Sequence, residues 1–129
     1  MTRRAVSTSS APSAVGPYSQ AIATDELVFC SGQVGLDPMG GELVSGGVEA
    51  ETERALKNLE AVLDAAGCSL GDVVKTTCFL ADINDFAAFN EVYLRFVSDP
   101  APARSTFQVA ALPKGGLVEI EAIAVRSRA

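Results

Sequence analysis

Two stretches near the end of the chain carry side chains that could do chemistry. Residues 104–109 alternate as a β-strand does, so that Arg104 and Thr106 share one face. Residues 118–125 alternate as well and carry the carboxylate of Glu119 near their start. An arginine and a carboxylate on two strands most often form a structural ion pair, and less often a site for a polar molecule. The residue types alone leave both interpretations open.

A short turn separates these two strands. Residues 112–116 read Leu-Pro-Lys-Gly-Gly, and proline with glycine between two alternating runs predicts a hairpin or another short connection. We therefore expect the two strands to be neighbours in a sheet.

The composition narrows the chemistry that is open to this chain. It contains no histidine, which excludes Ser-His, Cys-His and His-metal sites and leaves acid–base work to carboxylates, Tyr, Lys, Cys or water. The three cysteines, Cys30, Cys68 and Cys78, form no CxxC pair. We interpret them as packing residues of a protein in the reducing cytoplasm.

Length and charge set further limits. A chain of 129 residues predicts a single domain, residues 1–129, with a core of its own. The formal net charge of −6 opposes a broad contact with nucleic acid, whose phosphates repel an acidic surface. No apolar run approaches the ~18–20 residues that span a membrane.

Hydrophobic spacing predicts two helices. Residues 48–66 place apolar side chains at helical intervals, carry glutamates in their first turns and are followed by Gly67 as a stop. A second helix is predicted over residues 85–97, capped by Asp82 or Asn84.

The remaining strands are shorter. Residues 73–80 are rich in β-branched side chains and predict a strand. Earlier strands are expected at residues 3–9, 19–23 and 27–31, with Gly32 permitting a bulge and a turn-rich segment following it.

The order of elements is strands, helix, strand, helix, strand, strand. Two amphipathic helices suffice to cover one face of one sheet, which predicts an α+β two-layer sandwich. The other face carries the half-apolar row Glu119, Glu121, Ile123 and Val125. Such a bare face is typical of an interface, so we expect a homo-oligomer that packs through its sheets.

Four motifs in register identify a family. They are GPYSQA at residues 16–21, SGQ at 31–33, PARS at 102–105 and VEIEA at 118–122. In this order and at these intervals they resemble the RidA family, also called YjgF, of reactive intermediate/imine deaminases. The resemblance covers nearly the whole chain, including GDVVKTT at 71–77 and NDF at 84–86. One of these motifs alone is weak, whereas four in register are specific.

The resemblance implies a fold, an assembly and an activity. The fold is a chorismate-mutase-like two-layer sandwich, a mixed sheet with two helices on one face, assembled as a homotrimer with a central β-barrel and active sites at subunit interfaces. The activity is hydrolysis of 2-imino acids, of the 2-iminobutanoate and 2-iminopropanoate type, to 2-oxo acids and ammonia. No cofactor and no metal are expected.

Site residues follow from matching positions. The family's carboxylate-binding arginine falls on Arg104, its water-positioning carboxylate on Glu119 and its pocket tyrosine on Tyr18. Substrate contacts are expected further from Ser31, Gly32, Thr106 and Asn90. Thr106 departs from the family, which often has Cys there, so a mechanism that needs this thiol is excluded. We expect position 106 to supply its backbone amide and carbonyl.

These residues suit imine hydrolysis. The guanidinium of Arg104 can bind a carboxylate through two parallel hydrogen bonds, which fixes the orientation of the imino acid. Glu119 can then orient a water and pass a proton toward the departing ammonia.

Two other functions stay open. The first is a trimeric module that binds small carboxylates such as 2-oxo acids and regulates a partner with little turnover, a role that Arg104 would also serve. The second is the ribonuclease activity of some relatives, which the acidic charge opposes because RNA binding needs positive potential.

Overall fold

The protein is described here from a computed structural model, which covers residues 2–126. The strands are β1 Arg4–Val6, β2 Ala21–Ala23, β3 Leu27–Val34, β4 Val73–Leu80, β5 Ala103–Gln108 and β6 Val118–Val125, and the helices are α1 Gly47–Ala65 and α2 Phe86–Tyr93. The six strands form one mixed sheet in the order β1-β2-β3-β6-β4-β5. The predicted α+β architecture, a mixed sheet with two helices, is confirmed.

Helix α1 begins and ends within one residue of its predicted bounds. Its apolar stripe is buried against the sheet, and Leu59, Val62 and Leu63 are at most 1% exposed. Gly67 follows the helix with a φ of +81°, the left-handed conformation in which glycine commonly terminates helices.

Helix α2 is shorter than the predicted 85–97. A 3₁₀ turn, Ile83–Asp85, precedes it, and the Asp82 side chain accepts from the Asn84 N–H as predicted for a cap. After Tyr93 the hydrogen bonds tighten, since the Phe96 N–H donates to the Tyr93 carbonyl three residues back. The chain then reaches prolines that cannot continue a helix.

The two faces of the sheet differ as the alternation predicts. In β6 the residues Val118, Ile120, Ala122 and Ala124 are at most 4% exposed and pack beneath the helices, whereas the residues between them point to the open face. The open face also carries Phe29 and Phe107, which are 43% and 46% exposed.

The prediction that the strands at 104–109 and 118–125 are neighbours is wrong. Strand β4 lies between β5 and β6, parallel to the first and antiparallel to the second. The physical reason is the crossover through α2: a strand, a helix and a second strand place the second strand parallel beside the first. Residues 109–117 therefore form a connection that passes the end of β4.

The amino-terminal strands differ from prediction only in length. Strands β1 and β2 are three residues each, while β3 extends three residues past the predicted end at Ser31. The register of β3 against β6 shifts between Cys30 and Gln33, which confirms the predicted bulge around Gly32. In the part of the chain that the structure describes, no helix is both long enough and apolar enough to cross a membrane.

Candidate active site

Arg104 lies in an aromatic setting between β5 and α2. Its Nη1 donates a hydrogen bond of 2.8 Å to the Asn90 side-chain carbonyl. Its Cζ atom is 4.9 Å from the ring centroid of Tyr93 and 5.5 Å from those of Phe86 and Phe89. We call these five residues the Arg104 cage. Three ring faces and a neutral amide hold the guanidinium in place without neutralising it.

The Arg104 cage contains no acid. Among the described residues the one ion pair within 4.0 Å joins Lys57 to Glu53 on the surface of α1, and none involves Arg104. The interpretation of Arg104 and Glu119 as a structural ion pair is therefore wrong within this chain. Arg104 points toward the helices, whereas Glu119 points to the opposite, open face of the sheet.

Glu119 is seated over a glycine. A Cβ atom built on Gly32 would lie 2.6 Å from Glu119 Oε2 and 2.7 Å from its Cδ, so only a residue without a side chain leaves room for the carboxyl group. Burial raises the pKa of the Glu119 carboxyl above its ordinary value of 4.5, and repulsion from the Glu121 carboxylate raises it further.

A cavity of about 250 Å³ opens beside this carboxylate. Tyr18, Gly32, Glu119 and Lys114 line it together with residues of the loop before β2 and of β3; we call it the Glu119 cavity. Tyr18 is 53% exposed, and its hydroxyl accepts a hydrogen bond of 3.4 Å from the Val15 N–H. A second, more open depression lies on the other side of Tyr18 and is lined by no carboxylate.

Ser31 supports the wall of the Glu119 cavity. Its hydroxyl donates to the Ser19 carbonyl at 2.6 Å, and its N–H donates to the Gln20 carbonyl at 3.0 Å. These bonds tie β3 to the loop that carries Tyr18. The hydroxyl expected to contact substrate thus has a partner within the chain, although its oxygen can still accept.

Sequence reasoning missed two residues that shape the Glu119 cavity. Gln20 is buried, and its amide donates to the Pro12 carbonyl at 2.8 Å and accepts from the Thr8 N–H at 2.7 Å, so it fixes the whole loop over the cavity. Lys114 has a φ of +58°, and its ammonium donates to the Gly41 carbonyl at 3.2 Å across the rim. A buried glutamine within GPYSQA was a signal for the first; nothing in the sequence singled out the second.

The cysteines are buried free thiols, as predicted. Burial raises the pKa of Cys78 to about 11 and that of Cys30 to about 12. Both remain protonated at neutral pH and are poor nucleophiles. No group of three His, Cys, Asp or Glu side chains among residues 2–126 could hold a metal ion.

The structure thus sorts the predicted site residues into two groups. Tyr18, Gly32 and Glu119 meet in the Glu119 cavity, with Ser31 behind them. Arg104 and Asn90 meet in the Arg104 cage, with Thr106 on the same face of β5. One chain does not bring the two groups together.

Comparisons with known proteins agree with one another. A family model described as endoribonuclease L-PSP matches residues 8–126. The chain is 55% identical over 124 residues to a 2-iminobutanoate/2-iminopropanoate deaminase of Homo sapiens, covering 96% of this chain and 90% of that one. Two solved structures superimpose closely: RidA from an Antarctic Psychrobacter (TM-score 0.91, 49% identity, 95% and 98% covered) and E. coli TdcF with bound serine (TM-score 0.90, 45% identity, 96% and 99% covered).

Proposed function

This chain belongs to the RidA family, and on that premise we propose that it hydrolyses small 2-imino acids to 2-oxo acids and ammonia. It is an imine deaminase of the 2-iminobutanoate/2-iminopropanoate type, as its curated relatives at about 55% identity are named. We place it in the cytoplasm and treat residues 1–129 as one domain.

The observation that carries this proposal is the Arg104 cage. A guanidinium that is half-buried, held by a neutral amide and free of any nearby carboxylate among the described residues needs an anion. A carboxylate fits its two parallel N–H groups and gains charge-assisted hydrogen bonds. The amide of Asn90 orients the guanidinium from behind, so its role is to position Arg104.

Glu119 supplies the second half of the chemistry. Water adds to the imine carbon while one of its protons passes through the Glu119 carboxylate to the nitrogen, which gives a carbinolamine. The hydroxyl proton of the carbinolamine then passes to the amine, and the C–N bond breaks to release ammonia and leave the C=O group of the 2-oxo acid. A carboxyl with a raised pKa exchanges protons more readily near neutral pH than an ordinary glutamate. Tyr18 closes the side of the Glu119 cavity and contacts the substrate there.

The placement of Arg104 and Glu119 on opposite faces supports a shared site. We propose a homotrimer whose open sheet faces pack into a central β-barrel, with Arg104, Asn90 and Thr106 of one subunit meeting the Glu119 cavity of the next. The exposed Phe29 and Phe107 on the open face supply apolar area for such packing.

The site is better suited to imine hydrolysis than to binding a small carboxylate without turnover. A binding module needs only the arginine, whereas the seat that Gly32 makes for Glu119 serves a carboxylate that acts on the ligand. The net charge of −6 opposes RNA binding and therefore the endoribonuclease activity that the family description names.

The test is imine turnover by the purified protein. An amino-acid oxidase generates 2-imino acids in place, and semicarbazide traps what remains. Wild type should lower the trapped fraction; Arg104→Ala should not, while Arg95→Ala, a change of an exposed arginine, should match wild type. Trapping that neither protein lowers would leave the binding module as the better account, and trapping that both proteins lower equally would contradict the role of Arg104.

A further inference from the structure

A buried hydroxyl without a partner lies beside Arg104. The Thr106 Oγ1 atom is closed off from solvent and forms no hydrogen bond within residues 2–126. Leaving a buried hydroxyl unpaired is unfavourable, and most such groups in folded proteins find a partner. The burial of the Thr106 hydroxyl without a hydrogen-bond partner therefore has to be explained.

The polar neighbours of Thr106 are bonded mainly to other groups. The thiol of Cys78, opposite Thr106 on β4, donates to the Thr76 hydroxyl at 3.9 Å, and it also lies close enough to the Thr106 side chain for a weak contact. On β5 itself, Arg104 donates to Asn90, and the Gln108 side chain accepts from the Ile83 N–H at 2.9 Å. Within residues 2–126, Thr106 therefore has a thiol nearby but forms no hydrogen bond with a side chain.

The Arg104 guanidinium lies on the same face of β5 as this hydroxyl. The bond from Ile83 to Gln108 places the start of the α2 segment beside the end of β5, and the 2.7 Å contact between Tyr93 and Thr76 places the helix end beside the row of Arg104. Because the guanidinium also contacts Phe86, at the helix start, it lies along the part of β5 that holds Thr106.

The hydroxyl can reach a ligand with little movement. Strand β5 is the last in the sheet, so the side away from β4 is not covered by another strand of the described chain. A turn of about 120° about χ1 of Thr106 moves the oxygen into the position of the methyl group, and the hydroxyl hydrogen can rotate as well.

We propose that the Thr106 hydroxyl donates a hydrogen bond to the carboxylate of the bound 2-imino acid, next to the Arg104 guanidinium. A carboxylate accepts from several donors at once, so the two side chains can share it. This inference rests on the proposed function and adds to the expected backbone contact of position 106 a side-chain donor that distinguishes this chain from relatives with cysteine there.

A second orphan hydroxyl provides the matched control. Thr52 in α1 also has an unpaired buried oxygen, but the residue is 0% exposed and lies within the core, where no substrate reaches it. Thr52→Val and Thr106→Val each remove one buried hydroxyl that has no hydrogen-bond partner. Only the second should alter binding.

The experiment measures binding and stability together. For Thr106→Val we expect the Kd of 2-oxobutanoate, followed by calorimetry, and the KM for the imine to rise about tenfold. The midpoint of urea unfolding should stay equal or rise, since no hydrogen bond of the fold is lost. Thr106→Ser should bind more tightly than Thr106→Val, and Thr52→Val should bind as wild type does.

Two results would overturn the inference. A wild-type Kd in Thr106→Val means that the hydroxyl does not touch the carboxylate. A Thr106→Val protein that is less stable, unfolded or changed in oligomeric mass means that the hydroxyl serves the fold or a subunit contact. In either case imine turnover that still depends on Arg104 would leave the proposed function intact, whereas loss of that dependence would remove both.

Discussion

Two side chains of the site carry charges that no opposite charge among the described residues neutralises. The Arg104 guanidinium is half-buried without an acid among the described residues, and the Glu119 carboxylate is half-buried beside a second negative charge. Neither arrangement is explained by the stability of one chain. Both are explained if a substrate carboxylate and a reacting water are the missing partners.

Glu119 is expected to destabilise the fold at neutral pH. Its pKa is higher in the folded chain than the ordinary 4.5, so the folded state binds the proton more tightly. The contribution of Glu119 to stability is therefore greatest below pH 4.5 and falls as the pH rises through the folded pKa. Glu119→Gln should be more stable than wild type at neutral pH, with the difference vanishing below pH 4.5, in urea unfolding followed by circular dichroism.

The variant that gains stability at neutral pH should lose imine turnover. Glu119→Gln should lose imine hydrolysis, while Glu121→Gln should retain it and shift the acid limb of the pH profile downward, because one source of repulsion is gone. A Glu119→Gln protein that is less stable at neutral pH, or fully active, would contradict the assignment.

Asn90→Asp tests whether the guanidinium must remain unneutralised. The change puts a carboxylate 2.8 Å from Arg104 Nη1, where it would compete with the substrate. The KM should rise about tenfold or more while the fold is retained. Asn84→Asp, on the exposed turn before α2, adds the same charge and should leave KM unchanged. An unaltered KM in Asn90→Asp would mean that Arg104 does not bind the substrate.

At the scale of elements, the bulge in β3 shapes the seat of Glu119. Gly32→Ala should displace the carboxyl group, since the new Cβ would lie 2.6 Å from its oxygen, and kcat should fall about a hundredfold. The fold should persist because the flexible glutamate can move. Gly40→Ala is the control, since a Cβ there meets nothing within 4 Å. A full kcat in Gly32→Ala would show that the position of Glu119 is not critical.

The spacing of apolar residues was enough to predict the helices and strands that bury one side against the core. Helix α1 and strand β4 lie within a residue of their predicted bounds, because their apolar spacing and Gly67 are signals within the element itself. The two faces of β6 were predicted for the same reason.

Strand order was not predictable from the turn at residues 112–116. Pairing is a long-range property, and the crossover through α2 places β5 beside β4 before β6 is reached. The polar sequence of β5 was a usable signal, since polar strands suit a sheet edge. Contacts such as the one between Lys114 and Gly41 depend on loops that pack only in the finished fold.

At the scale of the molecule, the motifs identified the family, whereas the turn at residues 112–116 predicted that the strands of Arg104 and Glu119 are neighbours, which is wrong. In the fold the two side chains lie on opposite faces of one sheet. The homotrimer proposed above would resolve this, because a closed ring of three subunits repeats one contact and can bring Arg104 of each subunit to Glu119 of the next.

The most direct test of the account is complementation between two inactive variants. Arg104→Ala and Glu119→Gln are unfolded together in equal amounts and refolded as mixed oligomers. If each site takes Arg104 from one subunit and Glu119 from the next, about a quarter of the sites hold both residues, and roughly a quarter of wild-type imine turnover should return. Either variant refolded alone should stay inactive. Mixed trimers of the right mass without any regained turnover would contradict a site shared between subunits.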